Sequence, residues 1–204
     1  MKKKYHTAGN RYVSRLHPPG VRAASAGSAI AMEGVTRRPK IVLIVGYKKA
    51  GKTTLIEKLI PELSRRGYRV GTIKHHHSTT PVQIDQPGTD SWRHRKAGAI
   101  EMALVTPGEI AMFLKTKEPF SLDRAVDHFA GLDIVLVEGF HQEAKPKIEI
   151  RSLDHHHLRC AGDKNLLAVV EKVLSVKAVP SFTPRSIKPL ADLIVKKILN
   201  SRGG

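Results

Sequence analysis

Gly46 and Gly51 stand five residues apart and lead directly into Lys52 and Thr53, within the stretch "GYKKAGKTTL". This is the G-x-x-x-x-G-K-[ST] pattern of a phosphate-binding loop. Such a loop turns successive backbone N–H groups toward one point, and the helix that follows adds partial positive charge from its N-terminus. The glycines permit the tight path, the Lys52 ammonium reaches the outer phosphates, and the Thr53 hydroxyl can ligate Mg²⁺. Tyr47, Lys48, Lys49, Ala50 and Thr54 complete the stretch that would touch a nucleotide. A chance Gly–Lys turn would lack the context found here, an apolar "IVLIV" run before the loop and a helical pattern after it.

Other residues could share that chemistry. An acid ending a buried strand beside the loop strand orients Mg²⁺ or the attacking water in phosphoryl-transfer proteins. In "DIVLVEGF" (133–140) that acid is Glu138, the candidate catalytic and Mg²⁺-managing carboxylate, unless it is simply a charge that ends a strand. Asp133, at the strand's start, reads as a turn or cap residue. In "TIKHHHSTTPVQIDQPGTDSWRHRKAGA", Lys74 and His75–His77 fall at the carboxyl end of a second strand, the edge where open α/β sheets bind ligands. Asp85 and Asp90 could contact Mg²⁺ indirectly, and Arg93 with Arg95 could hold a second anionic group; a solvated helix face has the same spacing. Histidines cluster at 75–77 and 155–157. Three in a row on a strand cannot all face one metal, because alternate side chains point to opposite faces. His75 with His77 could, but no cysteine pair or second ligand pair at metal-binding spacing accompanies them.

These residues need a scaffold, and the apolar pattern supplies one. Strands are predicted at 40–47, at 68–75, over "AIEMALVTP" and "EIAMFLKT" (the second of these antiparallel), at 133–140, over "KPKIEIRS" as an alternating strand, and over "NLLAVVEK". Helices are predicted over "KTTLIEKLIPELSRRG", with Pro61 kinking it or breaking its last turn, over "DSWRHRKAG", over "SLDRAVDHF", and over "PRSIKPLADLIVKKILN". Near-continuous apolar strands alternating with helices imply an α/β fold, a mainly parallel sheet with helices on both faces in three layers. Residues 1–39 show no apolar periodicity and contain "PPG" and "AASAGSA", so they read as a disordered basic extension preceding a domain at 40–204. A transit peptide or an upstream translation start, with Met32 as an internal candidate, are further readings of that stretch.

Composition narrows the classes. The 204 residues suit one well-buried α/β domain. No apolar run approaches the ~18 residues of a spanning helix, so a membrane location is not expected. Cys160 is the single cysteine, which rules out an intrachain disulfide and suits a reducing cytoplasm. The net charge of +17 sits mostly at the ends: residues 1–40 carry nine Lys or Arg against Glu33, and residues 172–204 carry seven against Asp192. That balance suits anionic small molecules or an acidic partner; without a nucleic-acid-binding signature and with few aromatics, nucleic acid is not the expected ligand.

Read together, "GYKKAGKTTL", "GTIKHHH", "DQPGTDSWRHRKAGA", "LVEGF" and "PKIEIRS", in this order and spacing, resemble the molybdopterin-guanine dinucleotide biosynthesis protein B family, MobB, over about residues 38 to 200. The resemblance implies a homodimeric P-loop GTP-binding protein of the SIMIBI group with feeble GTPase activity. It would serve as an adapter to the MobA-type guanylyltransferase that joins GMP to the molybdopterin cofactor. Gly46–Thr54 would hold the triphosphate, Thr53 and Glu138 would manage Mg²⁺, and the "DSWRHR" helix would lie near the nucleotide or the pterin phosphate. Glu171 stands where the family shows an Asp, which makes it the carboxylate to pair with guanine, and no N-K-x-D signature is present. The loop's "KKA" is more basic than the family pattern. The other readings are a nickel-metallochaperone GTPase using the histidine runs, a nucleic-acid-binding P-loop protein, and a small-molecule kinase.

Overall fold

β1 (Lys40–Gly46) is apolar over most of its length, so it must be covered on both faces, and it lies inside a parallel sheet. The computed structural model describes residues 37–76, 85–116, 120–152, 154–155, 157–173 and 179–201. These fall into two compact units, one comprising residues 85–116 with Phe120 and the other the remainder. The N-terminal stretch 1–36 lies outside the described residues.

In the larger unit β1 is followed by α1 (Lys52–Arg65), β2 (Val70–Lys74), then, beyond the smaller unit, α3 (Leu122–Asp127), β5 (Ile134–Glu138), β6 (Lys147–Ile150), β7 (Leu166–Val170), β8 (Ser181–Phe182) and α4 (Ile187–Ile194). The smaller unit holds α2 (Asp90–Lys96), β3 (Glu101–Val105) and β4 (Ile110–Leu114). The six strands of the larger unit pair in the order β2-β5-β1-β6-β7-β8, every pair parallel. Val42 and Ile44 pack with Leu55, Leu59 and Leu63 of α1 and Leu190 and Ile194 of α4. Leu43 and Val45 pack with Leu122 and Val126 of α3 on the opposite face. This is the three-layer α/β/α arrangement expected from the alternating apolar strands and helices.

Four local features add to or correct the expectations. Helix α1 runs through Pro61 to Arg65 without breaking. Pro61 is exposed, so its ~3 kcal/mol penalty falls on the solvent side. Burial of Leu59 and Leu63, each contributing about 1.5–3 kcal/mol, holds the helix on β1. β3 and β4 form a separate two-stranded antiparallel sheet and do not extend the parallel one. The terminal helix ends in a π-helical turn, Val195–Leu199, closed by Asn200 N–H donating to the Val195 carbonyl at 2.9 Å. Finally, β6 is buried at all four positions instead of alternating. Sitting between β1 and β7, it has no wet face, and its charged residues are satisfied internally. Lys147 donates to the His141 and Glu143 carbonyls and pairs with Asp163, while Glu149 accepts from the Arg159 and Cys160 amides.

Candidate functional site

The phosphate loop leaves β1 where the sheet runs tightest. Gly46 has φ +140°, and a Cβ there would meet the Ile150 carbonyl oxygen of β6 at 2.5 Å, so only glycine fits. Lys49 adopts φ +63°, a left-handed turn that costs a non-glycine residue ~1–2 kcal/mol. Gly51 caps α1 in the same left-handed region with no side chain of its own, so the first-turn amides of the helix face outward.

The Lys52 ammonium lies across this loop, donating to the carbonyls of Gly46 at 3.1 Å and Tyr47 at 2.8 Å. Partial burial lowers its pKa; the Glu138 carboxylate opposes that shift, and the positive charges of Arg159 and Lys74 add to it. Beside it, Thr53 Oγ1 donates to Glu138 Oε2 at 3.0 Å. Register explains the meeting. Glu138 ends β5 opposite Ile44 of β1 and Lys74 of β2, so one carboxylate stands between the loop strand and the edge strand. The Lys74 ammonium is 3.5 Å from the same Oε2. The His75 amide donates to the Glu138 carbonyl at 2.9 Å, and its ring stacks on Phe140 with centroids 4.1 Å apart. The loop, Lys52, Thr53, Lys74, His75 and Glu138 are therefore one cluster at the carboxyl edge of the sheet. A hydroxyl and a carboxylate this close are hard oxygen donors suited to Mg²⁺, and the flanking ammoniums suit phosphate.

Glu171 follows β7 at the same edge, 3% exposed, and its Oε2 accepts from the Arg151 guanidinium at 3.2 Å. Asp133 accepts from the Arg69 amide at 2.7 Å and secures the approach to β2, a structural part as its position implied.

The remaining second-site residues gather in the smaller unit, around α2. Asp85 accepts from the hydroxyls of Thr89 at 2.8 Å and Ser91 at 3.0 Å and has Arg95 at 4.0 Å, which fixes the start of the helix. The Arg95 guanidinium lies 4.1 Å above the Phe113 ring, and Arg93 pairs with Asp90 at 3.5 Å in solvent. His77 and His156 lie outside the described residues. Among the described residues no group of three His, Cys, Asp or Glu is placed to hold a metal ion.

Sequence reasoning missed the wall of the loop. The Tyr47 ring stacks on His155 at 3.7 Å, and the Arg159 guanidinium lies 5.4 Å from the Tyr47 centroid. The only hint was the second histidine run, read for metal. Cys160, next in the chain, is buried with its thiol pushed up to about 11, first by desolvation and then by Glu149.

The profile of the molybdopterin guanine dinucleotide synthesis protein B family, MobB, matches residues 41–172. A molybdopterin-guanine dinucleotide biosynthesis adapter protein of Haemophilus influenzae is 48% identical over 107 residues, 52% of this chain and 59% of that protein. The adapter protein of the same name from Escherichia coli is 32% identical over 178 residues, 84% of this chain and all of that protein. The crystal structure of Bacillus subtilis MobB superposes with a TM-score of 0.65 at 27% identity, covering 80% of this chain and 99% of that one.

Proposed function

The chain belongs to the MobB family, and we propose that it is a GTP-binding adapter in molybdopterin guanine dinucleotide formation, assisting a MobA-type guanylyltransferase in the cytoplasm. The observation that carries this reading is the Thr53–Glu138 contact at 3.0 Å beside Lys52, a phosphate and Mg²⁺ site built on the loop. Gly46–Thr54 holds the triphosphate, and Lys52 neutralises its outer phosphates. Thr53 and Glu138 would hold Mg²⁺, which when bound would offset the charge of the phosphates. Glu138 is also the candidate to orient an attacking water. The candidates for the pterin phosphate or a second anion are, in the larger unit, Lys74 and His75, and, separately in the smaller unit, Asp85, Asp90, Arg93 and Arg95.

Guanine preference is assigned to Glu171, whose buried carboxylate would exchange its Arg151 partner for the base's N1–H and N2–H₂. Calorimetry with Mg²⁺ is expected to give GTP at least ~10-fold tighter than ATP, about 1.4 kcal/mol, and Glu171→Gln is expected to narrow that gap. Equal or ATP-favoured binding by the wild type would leave a phosphate-loop protein and remove the guanine-specific adapter.

The homodimer has its own support. Cross-strand pairing puts Ala103, Val105, Ile110, Met112 and Leu114 on one side of the β3–β4 hairpin with Glu101 at its edge opposite Leu114, and Val105, Ile110, Met112 and Leu114 are 43–66% exposed. A two-stranded sheet is marginal alone, and an apolar face of this kind marks an association surface. Met112→Lys is expected to shift the protein from dimer to monomer in light scattering, with GTP affinity retained. A dimer unchanged by Met112→Lys would place the interface elsewhere.

A further inference from the structure

We propose that Arg159 supplies a third cation to the bound nucleotide, beside Lys52 and Lys74, gripping the triphosphate from the side of the loop opposite Lys74. This rests on the nucleotide-binding reading and adds to it a residue outside the phosphate-loop motif. Three observations converge on Arg159. Its guanidinium lies 5.4 Å from the centroid of Tyr47, the first residue after Gly46, and the same ring stacks on His155, so two residues of the stretch after β6 meet the start of the loop. Its backbone is fixed from within. The Arg159 amide donates to Glu149 Oε1 at 2.6 Å and the Cys160 amide to Oε2 at 2.8 Å, and Glu149 is itself 1% exposed on the central strand β6. Its side chain is nevertheless exposed, and its charge is felt at the Lys52 ammonium.

A rigid backbone anchor beneath a solvent-facing guanidinium is the arrangement that holds a cation at an anion site at small entropic cost. A surface arginine with no ligand would gain little from a buried carboxylate spent on its main chain. In the absence of an anion, two cations converging on one loop repel each other. A triphosphate reverses that sign, since each guanidinium–phosphate hydrogen bond is charge-assisted. Lys74, Lys52 and Arg159 would then approach the phosphates from β2, α1 and the segment after β6 respectively.

The test is calorimetric titration of the full chain with Mg²⁺ and GTP, and separately with tripolyphosphate, for wild type, Arg159→Ala and Arg159→Lys, together with melting of each protein without ligand. Arg159→Ala is expected to weaken both ligands by about 10-fold or more, with a shallower salt dependence than wild type and an unchanged ligand-free melting temperature. Arg159→Lys should restore part of the loss. Wild-type protein that binds neither GTP nor tripolyphosphate overturns the nucleotide reading and this inference with it. Wild-type binding with an unaffected Arg159→Ala overturns the inference alone. Equal losses in Arg159→Ala and Arg159→Lys accompanied by a lowered ligand-free melting temperature would make Arg159 a structural brace of Tyr47, which also overturns it.

Discussion

Replacing Lys52 by alanine is expected to weaken GTP binding on the order of 100-fold, since hydrogen bonds from a charged group contribute about 1.5–3 kcal/mol and a tenfold change corresponds to about 1.4 kcal/mol. The loop would lose its ammonium twice over. Without ligand, that group ties the Gly46 and Tyr47 carbonyls together; with ligand, it would turn to the outer phosphates. A small fall in ligand-free stability should therefore accompany the large fall in affinity. The pH dependence carries a sign as well. Burial, countered by Glu138 and reinforced by Arg159 and Lys74, lowers the Lys52 pKa. As pH rises through that lowered value the ammonium is lost, so wild-type affinity should decline on the alkaline side before the ordinary lysine range is reached. Lys52→Ala should show no such decline from this group. Titrations of GTP at neutral and alkaline pH check both statements, and a Lys52→Ala protein that binds GTP like wild type would remove the loop from nucleotide binding.

The parts of the site legible in the sequence are those where one residue type is demanded at one position. Gly46 must be glycine because Ile150 leaves no room for a Cβ, and Lys52 and Thr53 open the helix immediately after the Gly51 cap, beside its first-turn amides. Glu138 was legible because an acid ending an otherwise apolar strand costs too much to bury without a task or a partner. What escaped were contacts between segments far apart in the chain. Nothing local announces that Tyr47 will meet His155 and Arg159, or that Arg151 will pair with Glu171 twenty residues later. Periodicity also misread β6. Alternating charged and apolar residues ordinarily mean one wet face, and "KIEI" has that pattern. Its position between β1 and β7 decides otherwise, and that position is set by the pairing order of the whole sheet. Pro61 shows the same priority of tertiary packing over local preference, since α1 continues through it.

Lys147 is where that misreading becomes a measurable energy. Its side chain is 1% exposed, and its three donors meet the His141 carbonyl at 3.0 Å, the Glu143 carbonyl at 2.9 Å and the Asp163 carboxylate. Lys147→Met keeps the aliphatic stem against the sheet and deletes only the ammonium, leaving two carbonyls and a carboxylate without it. Asp163 is 27% exposed and keeps its Asn165 bonds, so the loss is that of charged hydrogen bonds, about 1.5–3 kcal/mol, still a large share of the roughly 5–15 kcal/mol that holds a domain folded. The urea midpoint should fall on the order of 1 M for an m-value near 2 kcal/mol/M. Adding Asp163→Asn should recover part of the loss, because the stranded charge is the costly element. Asp163 fixes the pH behaviour. Its carboxyl is held below the usual range first by the Lys147 hydrogen bond and then by the Asn165 amide. A lowered carboxylate pKa stabilises the fold above the unfolded value and loses that contribution as pH falls through the folded one. Wild type and Lys147→Met should accordingly differ most near neutrality and converge in acid. A Lys147→Met protein as stable as wild type at pH 7 would mean that β6 tolerates an apolar residue there, and that its charges position Arg159 and Cys160 without holding the sheet together.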